Sequence, residues 1–487
     1  MVFSDLFFLF IFIPAFMLCY LLAAFVDNRL LSTETERSNN ARNSMLVIFS
    51  LVFYAWGEPV YVFLMLACVF INYLSGLVIN SCEGGKRRAA LTVGLICNIA
   101  ILGTFKYLGF FAATLGDMGI DVSVPAISLP IGISFYTFQS ISYLIDVYRK
   151  ESPVQRRFTG LLLYISMFPQ LIAGPIVRYG TVADEIHNRR VSADDFADGA
   201  YRFLIGLGKK VIIANQLSEI ADQFLVNGLG HLSTTGAWIG ITAFTLQIYF
   251  DFSGYSDMAI GMGRCLGFHF NENFNHPYCC KSITDFWRRW HISLSSWVRD
   301  YLFLPLSSFI RRWGQWGVAA SLMVTFIALG VWHGAGWTFA VYGFIQGLVI
   351  VWELRTERIR NKVRKHIGGR LFATLSVIRT YLIFAVSLVF FKAQSVSDAF
   401  YFLRNISFQT HASWKEINIG MSDHICIVAG AALLLMLLYD YLMSKRNQHR
   451  RLERQPILLR WTIYYLIVFA LFAYGKFGTE NFIYLQF

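Results

Sequence analysis

Long apolar runs recur from one end of the chain to the other and are separated by short polar stretches. Residues 6–26 form the first run, and residues 91–111 form another that is also long enough to cross a bilayer. The first run lacks a basic leader and a small-residue cleavage site, so we expect a retained helix rather than a removed signal peptide. Measured against a spanning length of about 20 residues, the pattern predicts an all-α polytopic membrane protein with about eleven spanning or re-entrant helices.

The middle of the chain departs from this plain apolar pattern. Residues 161–172 are apolar but end in Ala-Gly-Pro, which predicts a re-entrant or broken segment. Residues 194–225 combine charges with an apolar face, as is typical of an amphipathic helix in the membrane interface. The apolar residues 238–262 include Asp251 and Asp257, which either line a cavity, pair with an arginine or pin neighbouring helices.

Composition excludes a soluble globular class. The 487 residues are 56% hydrophobic and 17% aromatic, and only 15% are charged, whereas soluble chains carry about 25% charged residues. The net charge of +12 could indicate nucleic-acid binding. However, the lysines and arginines cluster in short loops between apolar runs, which is the positive-inside pattern of membrane proteins. We therefore predict a membrane lipid environment and no nucleic-acid partner.

The loop charges also predict the orientation of the chain. The loops placed in the cytoplasm are the basic ones, at residues 84–88, 149–157, 311–312, 355–370 and 445–454. The loops at 113–125 and 394–420 have few basic residues, and we place them outside together with both chain ends. Lys106 lies near the outer end of its run, where its stem is expected to reach the interface. The basic stretch 355–370 either binds anionic lipid or only sets topology.

Cysteine usage indicates neither a redox motif nor a metal site. None of the eight cysteines has CxxC spacing, and most lie in apolar runs, where a thiol packs as a small hydrophobic group. Cys279 and Cys280 are a vicinal pair beside a predicted interfacial stretch, where a lipidated cysteine is a weak alternative. The chain has no Gly-x-Ser-x-Gly elbow, Walker loop or metal-ligand cluster, so we predict no metal and no cofactor.

A histidine among glycines and tryptophans is the first candidate for chemistry. His333 lies in Gly-Val-Trp-His-Gly-Ala-Gly-Trp, between the apolar runs 317–329 and 338–351. The two runs predict a helical hairpin whose turn faces away from the basic loops, and Gly334 and Gly336 would let the backbone bend there. An ionisable group at membrane depth is a functional candidate, although a structural histidine at a helix junction explains the pattern equally well.

The second candidate stretch is residues 285–297, which contains Trp287, Arg288, Arg289, Trp290 and His291. If the stretch is helical, the side chains at 287, 291 and 294 share one face, while the side chain at 288 projects elsewhere. Tryptophan and arginine suit a membrane interface, so the stretch could be a plain aromatic belt. Alternatively it forms a cationic, aromatic mouth that receives a phosphate-bearing ligand such as a nucleotide thioester.

Together these stretches resemble the membrane-bound O-acyltransferases, in the bacterial branch that acetylates polysaccharides such as alginate. The pairing of Trp-Arg-Arg-Trp-His-Ile-Ser-Leu-Ser-Ser-Trp with the later Val-Trp-His-Gly-Ala-Gly-Trp carries the resemblance. Further matching stretches are residues 1–4, 134–139, 168–176, 251–257 and 481–487. The resemblance covers essentially the whole chain. It implies one membrane-embedded domain over residues 1–487, with a catalytic core at about 127–355.

The resemblance implies a site and a reaction. His333 would be the catalytic residue, acting as a general base or a transient acyl carrier, and His291 a second important position in the tunnel. Trp332 and Trp337 would wall the site and exclude water. The remaining expected substrate-binding residues are Trp287, Arg288, Arg289, Trp290 and Asp251.

The expected donor is cytoplasmic acetyl-CoA, approaching near the two arginines. The acceptor would be an extracytoplasmic polysaccharide, reached through a separate extracytoplasmic acetyltransferase, with this chain in the inner membrane. Two alternatives stay open: D-alanyl transfer to teichoic acid, and a proton-coupled transporter that uses His333, Asp251 and Asp257 as a relay.

Overall fold

The computed structural model describes residues 1–31, 38–227, 233–408 and 456–478, with isolated positions at 430–431, 433–434, 438 and 482. These residues form helices and turns, with no β-strand among them. Most of the predicted outer loop 394–420, most of the apolar run 426–442 and the basic loop 445–454 lie outside the described residues. So does the terminal stretch 481–487 apart from Phe482.

Helices follow one another closely along the first half of the chain. They are α1 (Phe8–Arg29), α2 (Asn40–Gly57), α3 (Tyr61–Ser81), α4 (Gly84–Asp117), α5 (Ile133–Arg149), α6 (Phe158–Ser166), α7 (Phe168–Leu171), α8 (Tyr179–Asn188), α9 (Ala193–Gly208) and α10 (Asn215–Asp222). Short π-helical turns at Lys209–Ala214 and Gln223–Asn227 flank α10.

The second half begins with the long helix α11 (Thr234–Cys265). Short helices then alternate with longer ones: α12 (Ile283–Trp287), α13 (Ile292–Val298), α14 (Leu304–Phe309), α15 (Gly314–His333), α16 (Trp337–Arg355), α17 (Glu357–Ile367), α18 (Gly369–Lys392), α19 (Val396–Phe408) and α20 (Ile457–Tyr474). The predicted broken segment at 161–172 is broken as expected, because α6 ends at Ser166 and α7 begins at Phe168.

Seven of the described helices are long and apolar enough to cross a membrane. They are α1, α3, α4, α15, α16, α18 and α20, with α15 counted from Arg311. Much of their surface is apolar and uncovered by other helices; Phe63, for example, is 70% exposed. In a bilayer such a surface faces lipid, which confirms the predicted all-α, multi-pass membrane architecture.

Internal contacts divide the chain into two compact units. The first comprises residues 1–204 and 255–271, and the second comprises residues 205–254 and 272–487. That the chain is one membrane domain with its catalytic core at 127–355 stays a prediction.

In the first unit, close approaches and buried amides join α3, α4 and α5. A Cβ on Gly76 would lie 2.7 Å from the hydroxyl of Tyr143. Because Gly76 has no side chain, α3 can pack closely against Tyr143 of α5. The amides of Asn72 and Asn98 exchange hydrogen bonds of 3.1 and 2.8 Å between α3 and α4. Small residues and paired polar groups are what hold helices together when lipid removes the hydrophobic driving force between them.

Lys106 corrects one expectation for the first unit. Its side chain does not reach the interface but is buried, with Nζ 3.4 Å from Oγ of Ser134 on α5. An isolated helix would leave this side chain only the interface as a polar environment, whereas here α5 packs beside α4 and supplies a polar contact.

In the second unit, α15 and α16 form the predicted hairpin. The start of α15 and the end of α16, which border the basic loops, lie side by side. Nη1 of Arg355 donates to Oε1 of Gln315 at 3.1 Å, and the guanidinium lies 4.6 Å from the ring centroid of Trp316. The turn that carries His333 is therefore at the opposite end from the basic residues, as the loop charges predicted.

Candidate active site

His333 is the last residue of α15, and the turn to α16 starts directly after it. The residue is only 4% exposed. Three aromatic rings surround the imidazole, with centroids 5.0 Å away for Trp332, 5.3 Å for Phe391 and 6.3 Å for Tyr342. The candidate base is thus at the predicted helix junction, in a buried aromatic environment.

The glycines of the turn have a different purpose from the one predicted. Gly334 and Gly336 have φ angles of −161° and −166°, an extended conformation that any residue adopts. A Cβ on Gly334 would lie 2.2 Å from the ring of Phe339. The prediction that these glycines are there to let the backbone bend is therefore wrong. Gly334 instead leaves room for Phe339, which packs against its backbone.

The stretch 285–297 is not one continuous helix. α12 ends at Trp287 and α13 begins at Ile292, and between them His291 has φ 45° and ψ 54°. This left-handed conformation interrupts the helix, and non-glycine residues rarely adopt it, although histidine does so more often than most. A continuous helix was the condition for positions 287, 291 and 294 to share one face, and this condition is not met.

Asn273 holds this break in place. Its carbonyl oxygen accepts the N–H of Ile292 at 2.9 Å, and its side-chain Oδ1 accepts the N–H of Ser293 at 3.2 Å. The same Oδ1 lies 3.2 Å from Nδ1 of His291. Since Oδ1 can only accept, Nδ1 of the neutral imidazole carries the proton and Nε2 is its basic nitrogen.

Trp332 brings the two candidate histidines into one cluster. Its ring centroid lies 6.2 Å from that of His291 and 5.0 Å from that of His333. Phe252 packs edge-on against His291 at 4.5 Å. We call His291, Trp332 and His333 the histidine cluster; its three side chains are buried.

A cavity of about 510 Å³ lies beside the histidine cluster. Its wall includes Ile292, which follows His291, and Thr325 and Leu329, which precede His333 by two turns and one turn of α15. The charged part of the wall is Arg288 and Arg299. We call this space the arginine cavity.

The two arginines of the cavity differ in how they are engaged. Arg299 makes a bidentate contact with Asp300, at 2.7 and 3.1 Å. Arg288 is exposed and has no ion pair within the described ranges of the chain. Its guanidinium therefore has hydrogen-bond donors to offer a ligand.

Trp287, Trp290 and Arg289 are fixed by neighbouring side chains. The indole N–H of Trp287 donates to Oε1 of Gln346 at 3.0 Å. The ring of Trp290 is buried and stacks on that of Phe286 at 5.4 Å. Arg289 pairs with Asp285 at 3.2 Å, one helical turn earlier. Of these three, only Trp287 borders the arginine cavity.

Asp251 and Trp337, two further predicted site residues, also do not border the arginine cavity. Asp251 is buried and pairs with Lys210 at 2.7 Å. Its neighbour Phe252 contacts His291, and adjacent helical side chains diverge by about 100°. Trp337 begins α16 and is 58% exposed. The paired carboxylate agrees with the pinning alternative weighed for Asp251.

Sequence reasoning missed three polar residues that hold the site. Asn273 lies in a loop, and no signal in the sequence singles it out. Gln346 lies inside the apolar run of α16, and Glu353 lies near its end. A polar or charged residue in such a run is a detectable signal, because it must find a partner within the protein.

Comparison with known proteins identifies the family. The sequence model described as MBOAT, membrane-bound O-acyltransferase family, matches residues 154–391. A probable alginate O-acetylase of Azotobacter vinelandii is 40% identical over 82% of this chain and 76% of its own. The peptidoglycan O-acetyltransferase of Helicobacter pylori is 30% identical over 96% of this chain and 95% of its own. The chain belongs to the membrane-bound O-acyltransferase family.

A more distant relative belongs to the alternative branch. The teichoic acid D-alanyltransferase of Bacillus subtilis is 29% identical over 52% of this chain and 65% of its own. Family membership confirms the predicted fold class and makes the protein a multi-pass membrane O-acyltransferase, which sets the transporter hypothesis aside. The roles of the individual site residues stay predictions.

Proposed function

We propose that this protein transfers an acetyl group from cytoplasmic acetyl-CoA to an extracytoplasmic polysaccharide, with His333 as the general base. The observation that carries the proposal is the arginine cavity beside the histidine cluster: one cationic wall and two buried imidazoles occur within the same unit. The relatives matched over most of this chain include O-acetylating proteins, which favours acetyl transfer over D-alanyl transfer.

The arginine cavity supports the choice of donor. Coenzyme A carries phosphates, and a guanidinium binds phosphate through two parallel hydrogen bonds. Arg288 is exposed and unpaired among the described residues, so it would contact the phosphates while the thioester extends toward Leu329 and His333. The charge rule favours the cytoplasmic side for the basic loops 311–312 and 355–370 of the same unit, and acetyl-CoA occurs on that side.

The chemistry requires one proton acceptor and an environment with little water. Neutral His333 would take the proton of the acceptor hydroxyl, and that oxygen would attack the thioester carbonyl carbon. The carbon–sulfur bond then breaks, and the departing thiolate takes the proton from the imidazolium. Trp332 and Phe391 pack against the base, which limits access of water and therefore hydrolysis of the thioester.

The relatives support our choice of acceptor and location. The names of two of them refer to alginate and peptidoglycan, so we infer a polysaccharide acceptor outside the cytoplasmic membrane. The protein would then lie in the inner membrane and use a separate extracytoplasmic acetyltransferase to reach the polymer. No resident cofactor is part of this scheme.

Replacement of His333 by alanine tests the proposal. Loss of a general base lowers the rate by about 100-fold or more, so O-acetyl groups should disappear from one exported or wall polymer while the polymer itself is still made. The measurement is the ester-linked acetate of each polysaccharide fraction, normalised to the amount of this protein in the membrane.

His366→Ala provides the matched control, because His366 lies on the exposed basic helix α17, away from the arginine cavity. This variant should acetylate like the wild type. Unchanged acetylation in His333→Ala, or loss of the polymer itself, would contradict the proposal.

A further inference from the structure

Glu353 is a buried carboxylate that contacts the start of α12 and one arginine of α18. Its Oε1 accepts the N–H of Ile283 at 3.0 Å, and its Oε2 accepts the N–H and the hydroxyl of Thr284, each at 3.1 Å. Arg379 on α18 pairs with Oε1 at 3.0 Å. The residue is 2% exposed, so this carboxylate is held entirely by protein groups.

The two backbone donors belong to the first turn of α12. A helix begins with N–H groups that have no partner inside the helix, and each must be satisfied by something else. Glu353 accepts the first two, at Ile283 and Thr284, and Ser282 accepts the next two, from Asp285 through its hydroxyl and from Phe286 through its carbonyl. Because α12 has only 5 residues, these external contacts decide where it lies.

The far end of α12 is held by the same helix α16. Trp287, the last residue of α12, donates to Gln346, and Gln346 and Glu353 are seven positions apart, which puts them on one face of α16. The segment 288–291, which contains Arg288 and His291, follows directly. α16 is also the partner of α15 in the hairpin that carries His333.

We propose that Glu353 is a positioning residue for acyl transfer: by fixing the start of α12 on α16, it sets where Arg288 and His291 lie relative to His333. This inference rests on the proposed function. The carboxylate touches neither histidine and takes no part in the chemistry. Its effect would come from alignment, which contributes to rate because reacting groups must be held in the geometry of attack.

The test is Glu353→Gln in membrane vesicles that retain the polymer and the extracytoplasmic acetyltransferase, supplied with radiolabelled acetyl-CoA, with label counted in alkali-labile polymer. The amide keeps the shape of the side chain but removes the charge and one of the two accepting oxygens. We expect turnover per folded molecule to fall by about tenfold or more, since a displacement of about 1 Å can cost 100-fold. Folded protein is quantified by gel filtration of the solubilised membranes.

Asp27→Asn is a closely matched control. Asp27 is also fully buried, accepts the N–H groups of Ala41 and Arg42 at 2.9 and 3.0 Å at the start of α2, and pairs with the Arg42 guanidinium at 3.0 Å. However, α2 carries no candidate site residue. Asp27→Asn should lower the amount of folded protein as Glu353→Gln does, while turnover per folded molecule stays near that of the wild type.

A second substitution separates positioning from general damage. Ser282→Asp places a new carboxylate at the N-cap of α12, where it can accept an N–H that the Glu353→Gln amide leaves unsatisfied. In the Glu353→Gln background it should restore a substantial part of the turnover. A Glu353→Gln enzyme with wild-type turnover, a loss no larger than that of Asp27→Asn, or a loss that Ser282→Asp does not relieve would each overturn the proposal.

The wild type and His333→Ala, assayed alongside, separate the two proposals. No label in the wild-type polymer, or equal label in both, would remove the proposed function. An active wild type, an inactive His333→Ala and a fully active Glu353→Gln would remove only the role of Glu353.

Discussion

At the scale of single residues, a substitution of Arg288 is the most direct test of acetyl-CoA as the donor. A hydrogen bond to a charged partner contributes about 1.5–3 kcal/mol, so Arg288→Gln should raise KM for acetyl-CoA about tenfold or more. The value of kcat should change little, because the phosphates are remote from the bond that breaks. The measurement is the initial rate of acetyl transfer in membranes over a range of acetyl-CoA concentrations.

The control for this prediction is Arg312→Gln, an exposed arginine in the short segment before α15 that does not line the arginine cavity. Its KM should equal that of the wild type. Arg288→Lys keeps the charge but loses the planar pair of donors, so it should fall between the two. An unchanged KM in Arg288→Gln would mean that the donor phosphates lie elsewhere.

His291 illustrates what a residue-level sequence pattern leaves out. Its type and neighbours mark it as a candidate, but the left-handed backbone is set by Asn273, which lies 18 residues earlier and accepts from both His291 and Ser293. Such a conformation costs of order 1 kcal/mol or more, so the surrounding contacts must hold it. The hydrogen bond from His291 to Asn273 also fixes the proton of the imidazole on Nδ1.

At the scale of elements, the α15–α16 hairpin depends on two glycines inside its helices. A Cβ on Gly343 would lie 2.2 Å from the carbonyl oxygen of Phe326, and one on Gly330 would lie 2.2 Å from that of Phe339. Gly343→Ala should therefore force α15 and α16 apart at the level of these contacts. We expect a loss of about 1–3 kcal/mol in stability and reduced acetylation, since His333 ends α15.

Gly336→Ala is the contrasting variant. Its Cβ would meet only ordinary contacts, the nearest at 3.5 Å, and its backbone is extended. Thermal unfolding of the two purified variants in detergent should show a lower Tm for Gly343→Ala and an unchanged Tm for Gly336→Ala. Equal values would contradict the role of close packing.

The sequence predicted most helices but gave no sign of the break between α12 and α13. Apolar runs of sufficient length define α3, α15 and α16, because a membrane permits few alternatives to a helix. The stretch 285–297 offered a helical pattern, yet Glu353, which fixes its start, lies 70 positions from Ile283 along the chain. Contacts between residues so far apart leave no periodic signal in the sequence.

At the scale of the whole molecule, each unit taken by itself has a basic end. In the first unit, Nη2 of Arg87 donates to the carbonyl of Val147 at 3.4 Å, which brings the loop 84–88 to the end of α5, just before the loop 149–157. In the second unit, the Arg355–Gln315 contact brings the basic stretch 355–370 to the first turn of α15, next to Arg311 and Arg312. Both groupings agree with the loops that the charge rule assigns to the cytoplasm.

This orientation predicts which side of the membrane each loop meets. In a variant with all eight cysteines replaced, a single cysteine at Met118 should react with a membrane-impermeant maleimide in intact spheroplasts. A single cysteine at Arg88 or Arg358 should react only after the membrane is permeabilised. Met118 is 74% exposed and both arginines are exposed, so a difference in labelling reports sidedness and not burial.

The labelling also bears on the direction of acyl transfer. If Arg358 reacts only after permeabilisation, the end of the hairpin opposite to His333 is cytoplasmic, and a donor from the cytoplasm must reach the histidine cluster from within the protein. Labelling of Arg358 in intact spheroplasts would invert the second unit and place His333 at the cytoplasmic end of its hairpin. The acceptor would then have to be a cytoplasmic molecule, and the proposed transfer to an extracytoplasmic polymer would fail even if His333 is the base.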